Sequence, residues 1–166
     1  MEKHSFILLG DTIMSVKYNN TSSNVIIDEP AHHIGEMAFY ADNHISSVVL
    51  PETIKTVGKG AFCDCHHLIS AELNDGLEEI GENAFVRTML LGITIPDSVV
   101  ELGLGAFVEN KWMTTVILPA KLYYKISMNF YDYFPRSINS ITIHNTGISK
   151  EDKPEYERIS MSNVKG

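Results

Sequence analysis

One motif recurs along this chain at nearly constant spacing: an aliphatic residue and Gly, two free positions, then Ala-Phe. It reads Ile34-Gly35 to Ala38-Phe39, Val57-Gly58 to Ala61-Phe62, Ile80-Gly81 to Ala84-Phe85 and Leu102-Gly103 to Ala106-Phe107. A worn fifth copy runs from Ile126 to Phe130-Tyr131, with Ser127 in the glycine's place. The aromatic positions 39, 62, 85, 107 and 131 are thus 23, 23, 22 and 24 residues apart. A unit that short cannot enclose a core by itself, so units repeated at this period bury their apolar sides by stacking on one another.

Between the copies lie a polar link and an alternating strand. Aligned on their last apolar residue, the strands end at Ile27, Leu50, Leu73, Ile95, Leu118 and Ile143. The residues two earlier are Val25, Val48, Ala71, Ile93, Val116 and Ile141, and alternation turns both columns inward. Ile26, Val49, Glu72, Thr94, Ile117 and Thr142 then face outward, beside a second outward column of Asn24, Ser47, Ser70, Gly92, Thr115 and Ser140. Six parallel strands would make one sheet roughly 25–30 Å across. A period of roughly 20–29 residues with one strand per repeat predicts a leucine-rich-repeat solenoid, mostly β with short helical turns.

Turn formers follow the strands, as in Pro51-Glu52-Thr53, Asn74-Asp75-Gly76 and Pro96-Asp97-Ser98, and proline there also ends the ladder. The motif glycine is expected where the chain bends sharply. The alanine lets coils approach, and the phenylalanine rings should stack at roughly 4.5–7 Å. Residues 6–9, Gly10-Asp11 and 12–18 predict a β-hairpin, so residues 1–23 are assigned as an N-terminal cap. The solenoid of about five repeats occupies 24–146. The polar segment 147–166, with Pro154 inside it, is expected to be a capping helix or a loose tail. All three parts form one domain.

With these residues in view, the chain resembles the BspA-like leucine-rich repeats of bacterial surface proteins and some protists. Their unit reads aliphatic-Pro-Asp-Ser-Val-x-x-Ile-Gly-x-x-Ala-Phe-x-x-Cys-x-x-Leu. Ile95-Pro96-Asp97-Ser98-Val99, Leu102-Gly103 and Ala106-Phe107 nearly reproduce it, and Ala61-Phe62 with Cys65 and Leu68 supplies the rest. The likeness covers about residues 6–144, departs at the fifth copy and the tail, and keeps the cysteine in one repeat only. It implies a right-handed superhelix that binds through a repeat surface, with adhesion or protein recognition as its work rather than chemistry. Larger relatives are usually exported and are often linked to host-cell or matrix attachment.

A net charge of −8 argues against nucleic acid, which demands a concentrated basic face, and against an anionic membrane surface. Membrane insertion is not expected, because no apolar run approaches spanning length. The opening apolar run, 6–9, is too short for a leader's core, so a cytoplasmic location is favoured. Cell surface or secretion is the alternative if a leader is missing, a setting in which Asn19 and Asn20 would offer glycosylation sequons, although a polar turn explains them more simply.

Cys63 and Cys65, one residue apart, are badly placed for a mutual disulfide. With His66 and His67 they form the densest set of candidate metal ligands, next to His44 one repeat earlier. Their spacing matches no zinc motif, and a packing role suits Cys65 better. Gly58-x-Gly60 and Gly103-x-Gly105 lack the strand-to-helix setting of a phosphate loop. No nucleophile elbow, zinc-protease motif or isolated carboxylate pair appears, so an enzyme is not expected and no cofactor is assigned. Glu29, Glu52, Asp75 and Asp97 share one turn position and would stack into an acidic ladder, read as a solvated rim.

Two candidate binding surfaces remain. One is the outward column of Ile26, Val49, Glu72, Thr94, Ile117 and Thr142. The other is the aromatic stretch from Trp112 to Phe134, in which Trp112, Tyr123 and Tyr124 are candidate contacts and Phe130, Tyr131 and Phe134 a lid over the solenoid's end. The expected function is non-enzymatic recognition of a protein partner of unknown identity. The alternatives are a small cytosolic effector or inhibitor masking one target, and a metal-binding protein. Self-association through the solenoid's ends is a further expectation.

Overall fold

Each coil carries two β-prone stretches, and both become strands. The computed structural model of the chain describes residues 4–18, 23–27, 30–144 and 156–160. A hairpin of β1 (Ser5–Leu9) and β2 (Thr12–Lys17) opens the chain. Long and short strands then alternate: β3 (Asn24–Ile26), β4 (His33–Ile34), β5 (Ser47–Val49), β6 (Thr56–Val57), β7 (Ser70–Glu72), β8 (Glu79–Ile80), β9 (Gly92–Thr94) and β10 (Glu101–Leu102). β11 (Thr115–Pro119) leads into α1 (Ala120–Ile126) and 3-10 turns over Ser127–Asp132. β12 (Ser140–His144) and β13 (Tyr156–Ser160) end the described chain.

The pairings match the aligned columns residue for residue. Asn24, Ser47 and Ser70 are partners across β3, β5 and β7, and Gly92, Thr115 and Ser140 across β9, β11 and β12. The two-residue strands build a second parallel sheet, β2-β4-β6-β8-β10, on the returning side of the coil. Two residues are too few to show alternation, so this sheet leaves no period-2 pattern in the sequence. The hairpin cap joins this second sheet through β2.

Between the sheets runs a spine of phenylalanines. Phe39, Phe62, Phe85 and Phe107 are fully buried and stack nearly parallel, with centroids 4.8, 5.0 and 5.3 Å apart. The next ring in the stack is Phe134, 5.2 Å from Phe107, and not position 131. The aromatic spacing misled because α1 and the 3-10 turns lengthen the fifth coil and delay its ring. Phe130 packs on the outside of Phe134 at 4.7 Å, so those two close the spine as a lid, whereas Tyr131 is only partly buried, with Arg136 over its ring.

The motif glycines also serve a purpose other than the expected one. None of Gly35, Gly58, Gly81 and Gly103 has a positive φ. A Cβ on Gly58 would come within 2.8 Å, and one on Gly81 within 2.7 Å, of the preceding coil's backbone. The glycine exists so that two coils can touch, not so that one can bend. The left-handed residues lie two positions to either side of the rings, among them Gly60, Asn83, Asp64 and Arg87.

The six outer strands do not form one sheet. β3-β5-β7 make one group, β9-β11-β12-β13 another, and no ladder joins β7 to β9 among the described residues. The cause is visible in the links. From each ring to the buried residue two positions before the next outer strand the chain takes six residues at Phe39–Ile45, Phe62–Leu68 and Phe107–Met113, but five at Phe85–Leu90. The coil that is one residue short delivers a strand out of pairing position. At the far end, where a helix or loose tail was expected, β13 runs antiparallel to β12 and covers its edge. The rest of 147–166 lies outside the described residues.

Candidate functional site

The β7/β9 break opens a groove of about 470 Å³ on the strand face. Its lips are Ser70, Glu72, Thr94 and Thr115. Its floor is the inward positions Ala71, Leu73 and Ile93, of which Ile93 stays buried. Ala71 and Leu73 are partly exposed, whereas their counterparts Val25, Val48, Ile27 and Leu50 are buried. Gly92, which has no side chain, lets the groove run across β9 to Thr115 and Ile117 on β11. Three of the six outward candidates, Glu72, Thr94 and Ile117, therefore converge on one feature. Of the others, Ile26 stands 61% exposed on the terminal strand, while Val49 and Thr142 are half-buried.

The aromatic candidates do not converge. Trp112 is exposed before β11, and Tyr123 and Tyr124 stand beyond it on α1, at the opposite rim. Tyr124 is exposed and Tyr123 partly buried against it, with rings 5.8 Å apart in an edge arrangement. Trp112 instead belongs with Ile69, Met89 and Leu91, all exposed apolar residues in the links that enter β7, β9 and β11. A hollow of about 180 Å³ between Arg87, Met89, Lys111 and Trp112 adjoins this ridge. The ridge was missed because its members come from three successive links, about 20 residues apart from one link to the next, and look like isolated surface apolars.

The cysteines and histidines point apart. Cys65 is fully buried and donates from Sγ to the Phe39 carbonyl (3.0 Å), and burial pushes its thiol up to about 12. Cys63 turns toward Asp64, and burial raises its thiol to about 11. Both sulfurs are therefore protonated near neutral pH, the form that neither attacks nor ligates well. His66 Nδ1 lies 3.1 Å from the Arg87 carbonyl and His67 Nδ1 2.7 Å from that of Asn43. Among the described residues no three His, Cys, Asp or Glu side chains are grouped to hold a metal ion.

Cys65 has structural equivalents in Asp42, Thr88 and Asn110, each three positions beyond its ring. Asn110 is fully buried, donates to the Phe85 carbonyl (2.7 Å) and the Phe107 carbonyl (2.8 Å), and is hydrogen-bonded by the Thr88 hydroxyl. Tyr18 donates to Asp42 (2.5 Å), and burial holds the phenol well above its ordinary range. Asn110 thus satisfies two carbonyls in the core, whereas Asp42 accepts from the backbone N–H groups of His44 and Ile45. On the surface, Arg87 grips Asp64 with two hydrogen bonds of 2.5 and 2.7 Å, which hold the carboxyl down to about 2.

Of the acidic ladder, Glu52, Asp75 and Asp97 are exposed at the ends of successive strands, and Glu29 lies outside the described residues. Asp97 is met by His144 Nδ1 at 2.9 Å. No helix among the described residues is long and apolar enough to cross a membrane.

Comparison with known proteins agrees with this architecture. The family description "BspA type Leucine rich repeat region" matches residues 18–152 in six copies, as many as the outer parallel strands. No curated protein matches the sequence. Among solved structures, the pneumococcal vaccine antigen PcpA is similar with a TM-score of 0.70 and 17% identity, over 85% of this chain and 34% of that one. A leucine-rich repeat protein from Bacteroides capillosus is similar at 0.55 and 24%, over 84% of this chain and 93% of that one. One from Eubacterium ventriosum is similar at 0.59 and 16%, over 86% and 42%. The chain thus spans about a third of the pneumococcal protein and less than half of the Eubacterium one, and at these identities the likeness concerns the fold.

Proposed function

Because the chain belongs to the BspA-type leucine-rich-repeat family, we propose that it is a non-enzymatic recognition module that binds a protein partner through its outer strand face and the apolar ridge ending at Trp112. The observation that carries this reading is the ridge itself. Ile69, Met89, Leu91 and Trp112 are exposed in successive links directly upstream of the strands that border the groove, and Met89 and Trp112 line one hollow. Exposed apolar surface gathered on one rim is a feature of contact sites, and Trp, Met and Arg are enriched at them.

The other sides of the molecule do not compete for this role. The returning sheet presents mostly ion-paired charges, such as Lys59 with Glu82 and Lys125 with Glu101. Stacked repeats use an extended surface for partners, and the two outward columns of the strand face carry one ionisable residue, Glu72, among small, hydroxylated and aliphatic side chains.

The test is to capture the partner from native lysate, identify it, and measure its affinity for single variants of purified protein. Trp112→Ala should weaken binding by about 30-fold or more, as a hot-spot residue does. Thr94→Arg on the strand face should also impair it, and Glu101→Arg on the returning sheet should not. Full affinity in the first two, with loss in the third, would place the contact on the opposite side.

A further inference from the structure

We propose that the β7/β9 groove is a receptor for a single lysine or arginine side chain of a protein partner. This inference rests on the strand face being the recognition surface. The groove has the two parts such a side chain needs. Its floor, Ala71, Leu73 and Ile93, is apolar, with Ala71 and Leu73 partly exposed, and suits an aliphatic stem. Its lip holds the Glu72 carboxylate, which suits a cationic head. Long cationic side chains divide in this way, burying the stem and keeping the charge at a polar edge.

Charge complementarity selects a cation over the alternatives. Glu72 is the sole ionisable residue in the two outward columns of all six strands. The other lips, Ser70, Thr94 and Thr115, are hydroxyls that accept hydrogen bonds from an ammonium or guanidinium. Exposed Asp75 lies just beyond β7 and Asp97 just beyond β9, on the side toward which the strands run. No lysine or arginine lines the groove. Lys55, which reaches the turn after β7, is held by the Gly76 carbonyl at 3.1 Å and by Glu78 at 3.7 Å. Asp97 is engaged by His144 (2.9 Å), so the charge an anionic or purely apolar side chain would meet in the groove is that of Glu72 on its lip.

The experiment titrates isotopically labelled full-length protein with three blocked tripeptides, Gly-X-Gly with X as arginine, glutamate or norleucine, and follows backbone amide shifts. Saturable shifts at residues 70–73 and 92–94 are expected for the arginine peptide, with weaker response to norleucine and none to glutamate. Glu72→Gln should weaken the arginine response about three- to fivefold, the scale of a solvent-accessible ion pair, and added salt should do the same. Ala71→Val, which restores the bulk present at Val25 and Val48, should abolish the response while the fold persists. Equal response to glutamate, shifts elsewhere on the surface, or indifference to both variants would overturn the groove. Those outcomes leave the strand-face reading standing, since it is decided by the Trp112→Ala and Thr94→Arg affinities for the captured partner.

Discussion

The same coils meet along two edges, and the edges respond differently to one missing residue. Along the phenylalanine edge the stack runs unbroken through the short coil, with Phe85 and Phe107 5.3 Å apart and nearly parallel. Along the strand edge the ladder stops between β7 and β9. The spine is fixed by interlocking volumes: rings on rings, glycines against backbone, buried amides on carbonyls. On either side of the break the strand edge is held by three-residue ladders, β5 to β7 and β9 to β11, and it gives way first. Conformity is required where the coils are packed on all sides, and variation gathers where one side is open to solvent.

The largest predicted effect tests the spine directly. Phe85→Ala removes a ring with a neighbour on each face and should destabilise the protein by about 3–5 kcal/mol, read by denaturant melts. A melt close to that of the parent would mean that the strand edge, not the spine, holds the stack. Asn110→Ala leaves the Phe85 and Phe107 carbonyls without their buried donor and should cost about 2–3 kcal/mol in the same measurement. Gly81→Ala forces a methyl against the previous coil's backbone and should cost about 1–3 kcal/mol, although the residue makes no side-chain contact in the parent.

Outside the spine the effects shrink. Asp64 is held below its ordinary range by Arg87, so its contribution to stability is complete above the unfolded value near pH 4. It is lost as pH falls through about 2. Arg87→Met should flatten that part of the acid-stability profile and cost no more than about 1 kcal/mol at neutral pH, because the guanidinium is well exposed. On the strand edge, Glu72→Gln should change stability by less than about 0.5 kcal/mol. A larger loss there would erase the distinction between the two edges.

Much of this was legible in the sequence, for a physical reason. Every coil meets the same neighbour geometry, so the period exposes the inward columns directly, and the pairings of Ser47 with Ser70 and of Gly92 with Thr115 follow from alignment alone. What stayed hidden lies where period and geometry separate. Phe134 replaces position 131 because a helix interrupts the fifth coil. The 22-residue interval at Phe85–Phe107 was plain, yet its consequence, an open ladder with a groove, depends on how a short link redirects the next strand. Trp112 could be picked out by type, but its companions Met89 and Leu91 could be found only by aligning the links as carefully as the strands.

The register between coils also sets how the chain reaches this state. Ring-turn hydrogen bonds such as Phe39 to Ala61 and Phe62 to Ala84 join residues one turn apart, so forming them closes a loop of only one coil. Divided by the chain length, that separation is roughly 0.13, within the band of domains that fold at intermediate speed. Any two adjacent coils can nucleate, and growth then proceeds outward by one docking event at a time. The break beside β9 falls midway along that path, so the halves on either side are expected to zip up separately and to join last through the ring pair Phe62–Phe85.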